Sequence, residues 1–163
     1  MIRPSAAGER QRQAADPAQS TWLAANAGSG KTRVLIDRVV RMLFAGTPPH
    51  RILCLTYTKA AATEMQNRLF RTLGLWAMLP EPELRQALSE LGAPVSTAAD
   101  LATARRLFAQ AIETPGGLRI QTIHSFCAGL LRRFPLEARV APNFAEMDDT
   151  ETRAQRAAVL EDM

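Results

Sequence analysis

Cysteine, lysine and long apolar runs are all scarce in this sequence of 163 residues. Its two cysteines, Cys54 and Cys127, lie far apart and in no metal-ligand spacing, which excludes a disulfide scaffold or a zinc module and leaves two reduced thiols as the expectation. No stretch of about 18 uncharged apolar residues occurs, so no transmembrane helix is expected. Residues 1–13 include arginines but no apolar segment behind them, which is not the layout of a secretory signal. The expected location is therefore the cytoplasm, with no membrane partner. Aromatics make up only 6%, yet hydrophobic residues reach 47% and charged residues 22%, ordinary values for a globular domain. A domain of this length buries roughly 70% of its unfolded surface, so it can hold a core.

What is present is arginine. All but Lys31 and Lys59 of the 20 basic residues are arginines, and they sit unevenly. Residues 1–145 carry a net charge of +8 and residues 146–163 a net charge of −4. A basic body suits a polyanionic partner, although charge alone does not identify one.

The hydrophobic pattern alternates between short apolar runs and helical periods. Residues 1–16 form a polar arm with a short helix near Glu9–Ala15. Thr21–Ala25 is expected to be a buried strand ending in a glycine-rich turn. Val34, Leu35, Val39, Met42 and Leu43 place one apolar face on a helix from Lys31 to Ala45, stopped by Gly46 and Pro48. Arg51–Thr56 reads as a second buried strand, and Thr58–Trp76 as a second helix with Ala62, Met65, Leu69 and Leu73 on one face. Prolines at 80, 82 and 94 punctuate a helical insertion over about 80–114, with helices at Glu81–Leu91 and Thr97–Glu113. Leu118–Thr122 is a third strand, Ile123–Phe134 a further helix with Cys127 as a buried thiol, and the tail from Asp148 is helical and still in mid-pattern at Met163. This order predicts an α/β fold, a parallel sheet flanked by helices with right-handed crossovers. The layout is an arm over 1–16, a partial lobe over 17–145 and the start of a helical subdomain over 146–163, the chain being expected to continue further.

Ala25-Asn26-Ala27-Gly28-Ser29-Gly30-Lys31-Thr32 carries the strongest chemical signal. It meets the phosphate-loop pattern G-x-x-x-x-G-K-[ST] everywhere except at Ala25, and it lies between a predicted strand and a predicted helix. Gly28 and Gly30 permit the left-handed backbone that brings N–H groups onto phosphate oxygens. The helix starting at Lys31 points its free N–H groups and positive dipole end at the same anion. Lys31 supplies an ammonium for the β- and γ-phosphates, and the Thr32 hydroxyl is a Mg²⁺ ligand. ATP with Mg²⁺ is the expected cofactor, bound through Ala27, Gly28, Ser29, Gly30, Lys31 and Thr32.

Two further junctions follow predicted strands. Thr56-Tyr57-Thr58, ahead of Lys59-Ala60-Ala61-Ala62-Thr63-Glu64-Met65, puts hydroxyls and one aromatic ring at the carboxyl edge of the sheet, where a single strand's phosphate and base can be held. Thr58 also suits a helix N-cap. Thr122, His124 and Ser125, within Ile120–Cys127, occupy the equivalent place in the next junction.

Taken in order, these segments resemble the amino-terminal part of superfamily 1 DNA helicases of the UvrD/Rep type. A Gln motif in Gln11-Arg12-Gln13-Ala14-Ala15 precedes the Walker A loop, then motif Ia at 56–68 and motif Ib at 120–127. The wording of the motifs is most similar to helicase–nucleases of the AddA type, with Glu113–Leu118 and Arg133–Ala138 adding to the likeness. That resemblance implies a RecA-like lobe in which Gln11 reads the adenine edge, with Gln13 as a competing register, and Arg33 lies against the adenine ring. It also implies that Thr56, Tyr57, Thr58, Thr122 and His124 contact the translocating strand. The implied partners are single- and double-stranded DNA and a second protein of the AddB type. Processing of double-strand-break ends is the implied task.

No Asp-Glu pair follows a predicted strand, and Asp148-Asp149 comes after Phe144–Met147, which has no buried-strand character. The acidic Walker B pair, a second lobe and a nuclease are expected beyond Met163. On that reading these residues bind nucleotide weakly and do not hydrolyse it alone. A non-catalytic P-loop module that binds single-stranded nucleic acid is the alternative.

Overall fold

The computed structural model describes residues 6–24, 26, 28, 30–93, 97–147 and 149–161. They fall into two units, residues 1–121 and 122–163. The first holds α1 (Ala6–Ala14), α2 (Lys31–Phe44), a 3₁₀ turn (Pro49–Arg51), β1 (Leu53–Thr56), α3 (Lys59–Met78), α4 (Glu81–Leu91) and α5 (Ala98–Glu113). β2 (Arg119–Thr122) ends at the border between the units; the second unit continues with α6 (Ile123–Arg133) and α7 (Asp149–Glu161). The chain is thus α/β, with β1 and β2 paired in a small parallel sheet. No helix of the described residues is long and apolar enough to cross a membrane.

Helix boundaries follow their chemistry. Thr58 caps α3 by accepting from the Ala61 N–H at 3.1 Å. Thr97 and Asp100 close a reciprocal capping box on α5, satisfying two N–H groups that the helix itself cannot. Gly46, in a left-handed conformation, lets Thr47 N–H return to the Met42 carbonyl at 2.9 Å and ends the turn after α2. The open carbonyls at the end of α3 are met from α5: Arg105 donates to Ala77 O at 3.1 Å and to Leu79 O at 2.7 Å. A cation at a helix carboxyl end is favoured by the dipole as well as by the hydrogen bonds.

The core lies between helices. Val40 and Leu43 of α2, Leu69 and Leu73 of α3, Leu84 and Leu88 of α4, and Leu107 of α5 are its largest fully buried side chains. Phe70 and Phe108 meet edge to face at 6.3 Å across α3 and α5. The segment expected as an insertion therefore forms one wall of the main core. A two-stranded sheet is too narrow to cover both α2 and α3, so α4 and α5 complete the burial.

Two expected strands change. Residues 21–24 form none, and Trp22 is 93% exposed; Ala25 lies outside the described residues. An apolar run becomes a strand only when a neighbour accepts its backbone ladder, and 21–24 joins neither β1 nor β2. The Arg51–Thr56 strand is shortened by the 3₁₀ turn at Pro49–Arg51, and it is half covered rather than buried: Leu53 and Leu55 are exposed while Cys54 and Thr56 are half-buried. With α3 packed on the strand and a single strand partner, only one face is covered.

In the second unit, Arg132 of α6 donates to Glu146 at 3.2 Å and lies over the Phe144 ring at 5.3 Å. Cys127 is exposed, contrary to expectation, because among the described residues of α6 only Ala128 is buried.

Leu73 is fully buried and Leu75, two positions on, is 56% exposed. Leu73→Ala is expected to cost about 2–5 kcal/mol by urea unfolding, and Leu75→Ala to stay within about 0.5 kcal/mol. Equal effects would contradict the placement of the core.

Candidate nucleotide and nucleic-acid site

The start of α2 differs from those of α3, α5 and α6. Thr58, Thr97 and Thr122 satisfy first-turn N–H groups with their own hydroxyls. Gly30, the N-cap of α2, has no side chain to do so and adopts φ 89°, ψ 16°. Gly28 is also left-handed, at φ 79°. A first turn of α2 without acidic residues and without a side-chain cap presents its N–H groups and dipole to an anion. Ala25, Ala27 and Ser29 lie outside the described residues.

Lys31 is exposed, and its Nζ donates to the Asn26 carbonyl at 2.9 Å, so the side chain folds back over the loop. Thr32 is half-buried one position on. Arg33 is exposed and stands 3.9 Å from Asp37, a loose i,i+4 pair. Gln11 reaches this region from α1: a Cβ added to Gly30 would lie 3.3 Å from its Nε2. Gln11 is half-buried and Gln13 exposed. These residues fit a nucleoside triphosphate, having left-handed glycines, an uncapped helix start and a lysine within one loop. Among the described residues no group of three or more His, Cys, Asp or Glu could hold a metal ion, so a cation here would rely on phosphate oxygens and Thr32.

At the carboxyl end of β1, Thr56 Oγ1 donates to the Thr58 carbonyl at 3.0 Å while the Thr58 hydroxyl caps α3. This pair of bonds fixes the turn and leaves Tyr57 standing out, 85% exposed. In the second unit Thr122 is buried, accepts from the Ser125 N–H at 3.1 Å and lies 2.9 Å from the Ser125 hydroxyl. His124, in the first turn of α6, is exposed.

Three arginines of α1 and α2 have structural partners that sequence reasoning did not single out. Arg38 donates to the carbonyls of Asp16 at 2.5 Å and Gln19 at 2.7 Å, pinning the segment after α1 onto α2. Arg41, one turn on, donates through both Nε and Nη2 to the Leu91 carbonyl at the end of α4. Arg12 lies beside the same helix end, at Gly92. The i,i+3 spacing of Arg38 and Arg41 was the available signal, but it is the same spacing that a solvated helix face shows.

Burial raises the Asp37 carboxyl above its ordinary 3.8, and Arg33 and Arg41 oppose that rise. The thiol of Cys54 is likewise raised by burial, which makes it a poor nucleophile.

The family profile of the UvrD/REP helicase N-terminal domain matches residues 7–163. The AddA component of the ATP-dependent helicase/nuclease of Desulforudis audaxviator is 38% identical over 143 residues, 86% of this chain and 10% of that protein. The proteins of the same name from Lactobacillus gasseri and Enterococcus faecalis are each 33% identical, over 90% and 84% of this chain and 10% and 9% of their own lengths. The chain thus spans about a tenth of the length of the curated relatives it matches.

Because the folded Asp37 carboxyl holds its proton more tightly than the unfolded one, its contribution is complete below the ordinary carboxylate range and is lost as pH rises through the raised value. Asp37→Asn is therefore expected to raise the urea midpoint at pH 7 and to leave it unchanged at the acid end of the stable range. A lower midpoint at pH 7 would mean that the pairing with Arg33 and Arg41 outweighs burial.

Proposed function

The chain belongs to the UvrD/REP helicase N-terminal domain family, and we propose that it is the ATP-binding amino-terminal part of an ATP-dependent DNA helicase–nuclease of the AddA type. The observation that carries this reading is the approach of the Gln11 amide to Gly30 at the uncapped start of α2, immediately before Lys31.

In this reading the lobe over 17–145 is RecA-like, and Ala27, Gly28, Ser29 and Gly30 form the cradle for the phosphates. Lys31 exchanges its bond to the Asn26 carbonyl for the β- and γ-phosphates, a charge-assisted contact worth about 1.5–3 kcal/mol. Thr32 offers its hydroxyl to Mg²⁺, Gln11 reads the adenine edge, and the exposed Arg33 lies on the ring. Hydrolysis of bound ATP supplies the free energy for strand movement when the remainder of the machine is present. These residues alone bind nucleotide weakly, without a Walker B acidic pair to orient water.

Thr56, Tyr57 and Thr58 hold one strand of DNA. The exposed ring of Tyr57 is a stacking surface, worth about 1–3 kcal/mol per base, and the fixed Thr56–Thr58 turn keeps it outward. In the second unit, Thr122, which orders the start of α6, and His124 also contact DNA. The intact protein acts on single- and double-stranded DNA in the cytoplasm, processes double-strand-break ends for repair and works with an AddB-like partner. The AddA-type motifs and the named relatives support that assignment.

In the intact protein, Lys31→Ala is expected to abolish ATP hydrolysis and unwinding while single-strand affinity, measured by fluorescence anisotropy, changes less than about threefold, since the phosphate contact is separate from the stacking surface. Persistent unwinding would show that the loop is misassigned. Tyr57→Ala is expected to weaken single-strand binding by about 5- to 100-fold, the worth of one stacked base, with nucleotide affinity retained. Equal loss of both would point to a folding defect.

A further inference from the structure

α1 has nine residues, too few to be stable as an isolated helix, so its position is set by what it touches. Successive side chains on a helix point about 100° apart, and two neighbours of α1 use that divergence. Gln11 directs its amide to Gly30 at the phosphate loop, while Arg12 lays its aliphatic stem along Gly92, the C-cap of α4. The fit at Gly92 is tight: a Cβ there would lie 3.0 Å from Arg12 Cδ and 2.7 Å from Arg41 Nη2. Gly92 also adopts a left-handed φ of 78°, which ends α4 beside the Leu91 carbonyl that Arg41 meets. Arg41 fastens α4 to α2 by its double donation to the Leu91 carbonyl, and Arg38 holds the chain that leaves α1 at Asp16 and Gln19.

We propose that the junction of Arg12, Gly92 and Arg41 is a positioning site for nucleotide selection: the end of α4 seats α1 so that Gln11 stands against the phosphate loop. The inference rests on the reading of Gln11 as the adenine-recognising residue. It assigns to the α4–α5 hairpin a task beyond filling the core, and it makes Arg12 and Gly92 positioning residues that never touch the nucleotide. Arg12 acts here through its stem. The guanidinium repels the partly buried Arg41, so charge is not what holds the pair together.

The test compares the affinities of the intact protein for fluorescent ATP and GTP analogues, because the ratio of the two reports base selection and cancels general losses of phosphate binding or folded fraction. Gln11→Ala is expected to reduce the preference for ATP by about 2- to 10-fold, the range of one lost hydrogen bond. Arg12→Ala is expected to reduce it to the same level, and Arg12→Met, which keeps the stem, to leave it at the wild-type value. The Gln11→Ala, Arg12→Ala double variant should lose no more than either alone. Gly92→Ala, which presses on the junction from the other side, should also lower the ratio and serves if Arg12→Ala does not fold. If Gln11→Ala lowers the ratio but Arg12→Ala and Gly92→Ala do not, the junction does not position the arm and the inference falls while the adenine reading stands. Equal loss in Arg12→Ala and Arg12→Met would also overturn it, since the stem would then be irrelevant. An unchanged ratio in Gln11→Ala would refute the adenine reading and the inference with it.

Discussion

Everything else in the first unit depends on burying the apolar stripe of α3. Ala62, Met65, Leu69, Leu73 and Trp76 face inward over about four turns, far more surface than a strand of four residues can cover. α5 supplies the largest share of the cover, with Leu101, Ala104, Leu107 and Ala111, and α4 and α2 close the remaining sides. At roughly 25 cal/mol per Å² of apolar surface, such helix faces dominate the favourable terms in folding. Once α2 and α3 are fixed by this core, their amino-terminal ends are fixed too, and the proposed chemistry lies at those ends.

The helix starts divide the labour. Where a threonine hydroxyl caps the first turn, at Thr58, Thr97 and Thr122, the helix is self-sufficient and its junction is a rigid corner. Where a left-handed glycine stands, at Gly30, no side chain caps the first turn, and the proposed reading places the phosphates there. In the proposed reading, a phosphate site and a platform for Tyr57 differ by one feature of cap chemistry, glycine against threonine, on two helices sharing one core. Arginine extends the same economy to the carboxyl ends, where Arg105 and Arg41 meet the open carbonyls of α3 and α4.

Much of this was legible in the sequence. Periodicity located α2 through α6 to within a few residues, because their buried faces repeat with the helical period and their ends carry Thr, Gly or Pro. The inward set on α3 was readable residue by residue. Strands were less so: Thr21–Ala24 looks apolar enough to be buried, but strand formation is decided by partners elsewhere in the chain, which a local run does not encode. Cys127 misled for the same reason, since its exposure depends on what covers α6. At the candidate site, the loop was proposed from spacing alone, whereas the nearness of Gln11 to Gly30 depends on the packing of α1. The Arg12–Gly92–Arg41 junction joins residues dozens of positions apart by backbone carbonyls and a missing side chain, and neither leaves a local pattern.

The most direct test is a titration of the isotope-labelled chain with Mg-ATP, followed by amide and side-chain-amide resonances. Weak, saturable shifts are expected, centred on Gly28, Gly30, Lys31 and Thr32 and accompanied by the side-chain amide of Gln11. Shifts confined to other surfaces, or saturation at the loop without Gln11, would contradict the placement of a nucleotide between α1 and the start of α2.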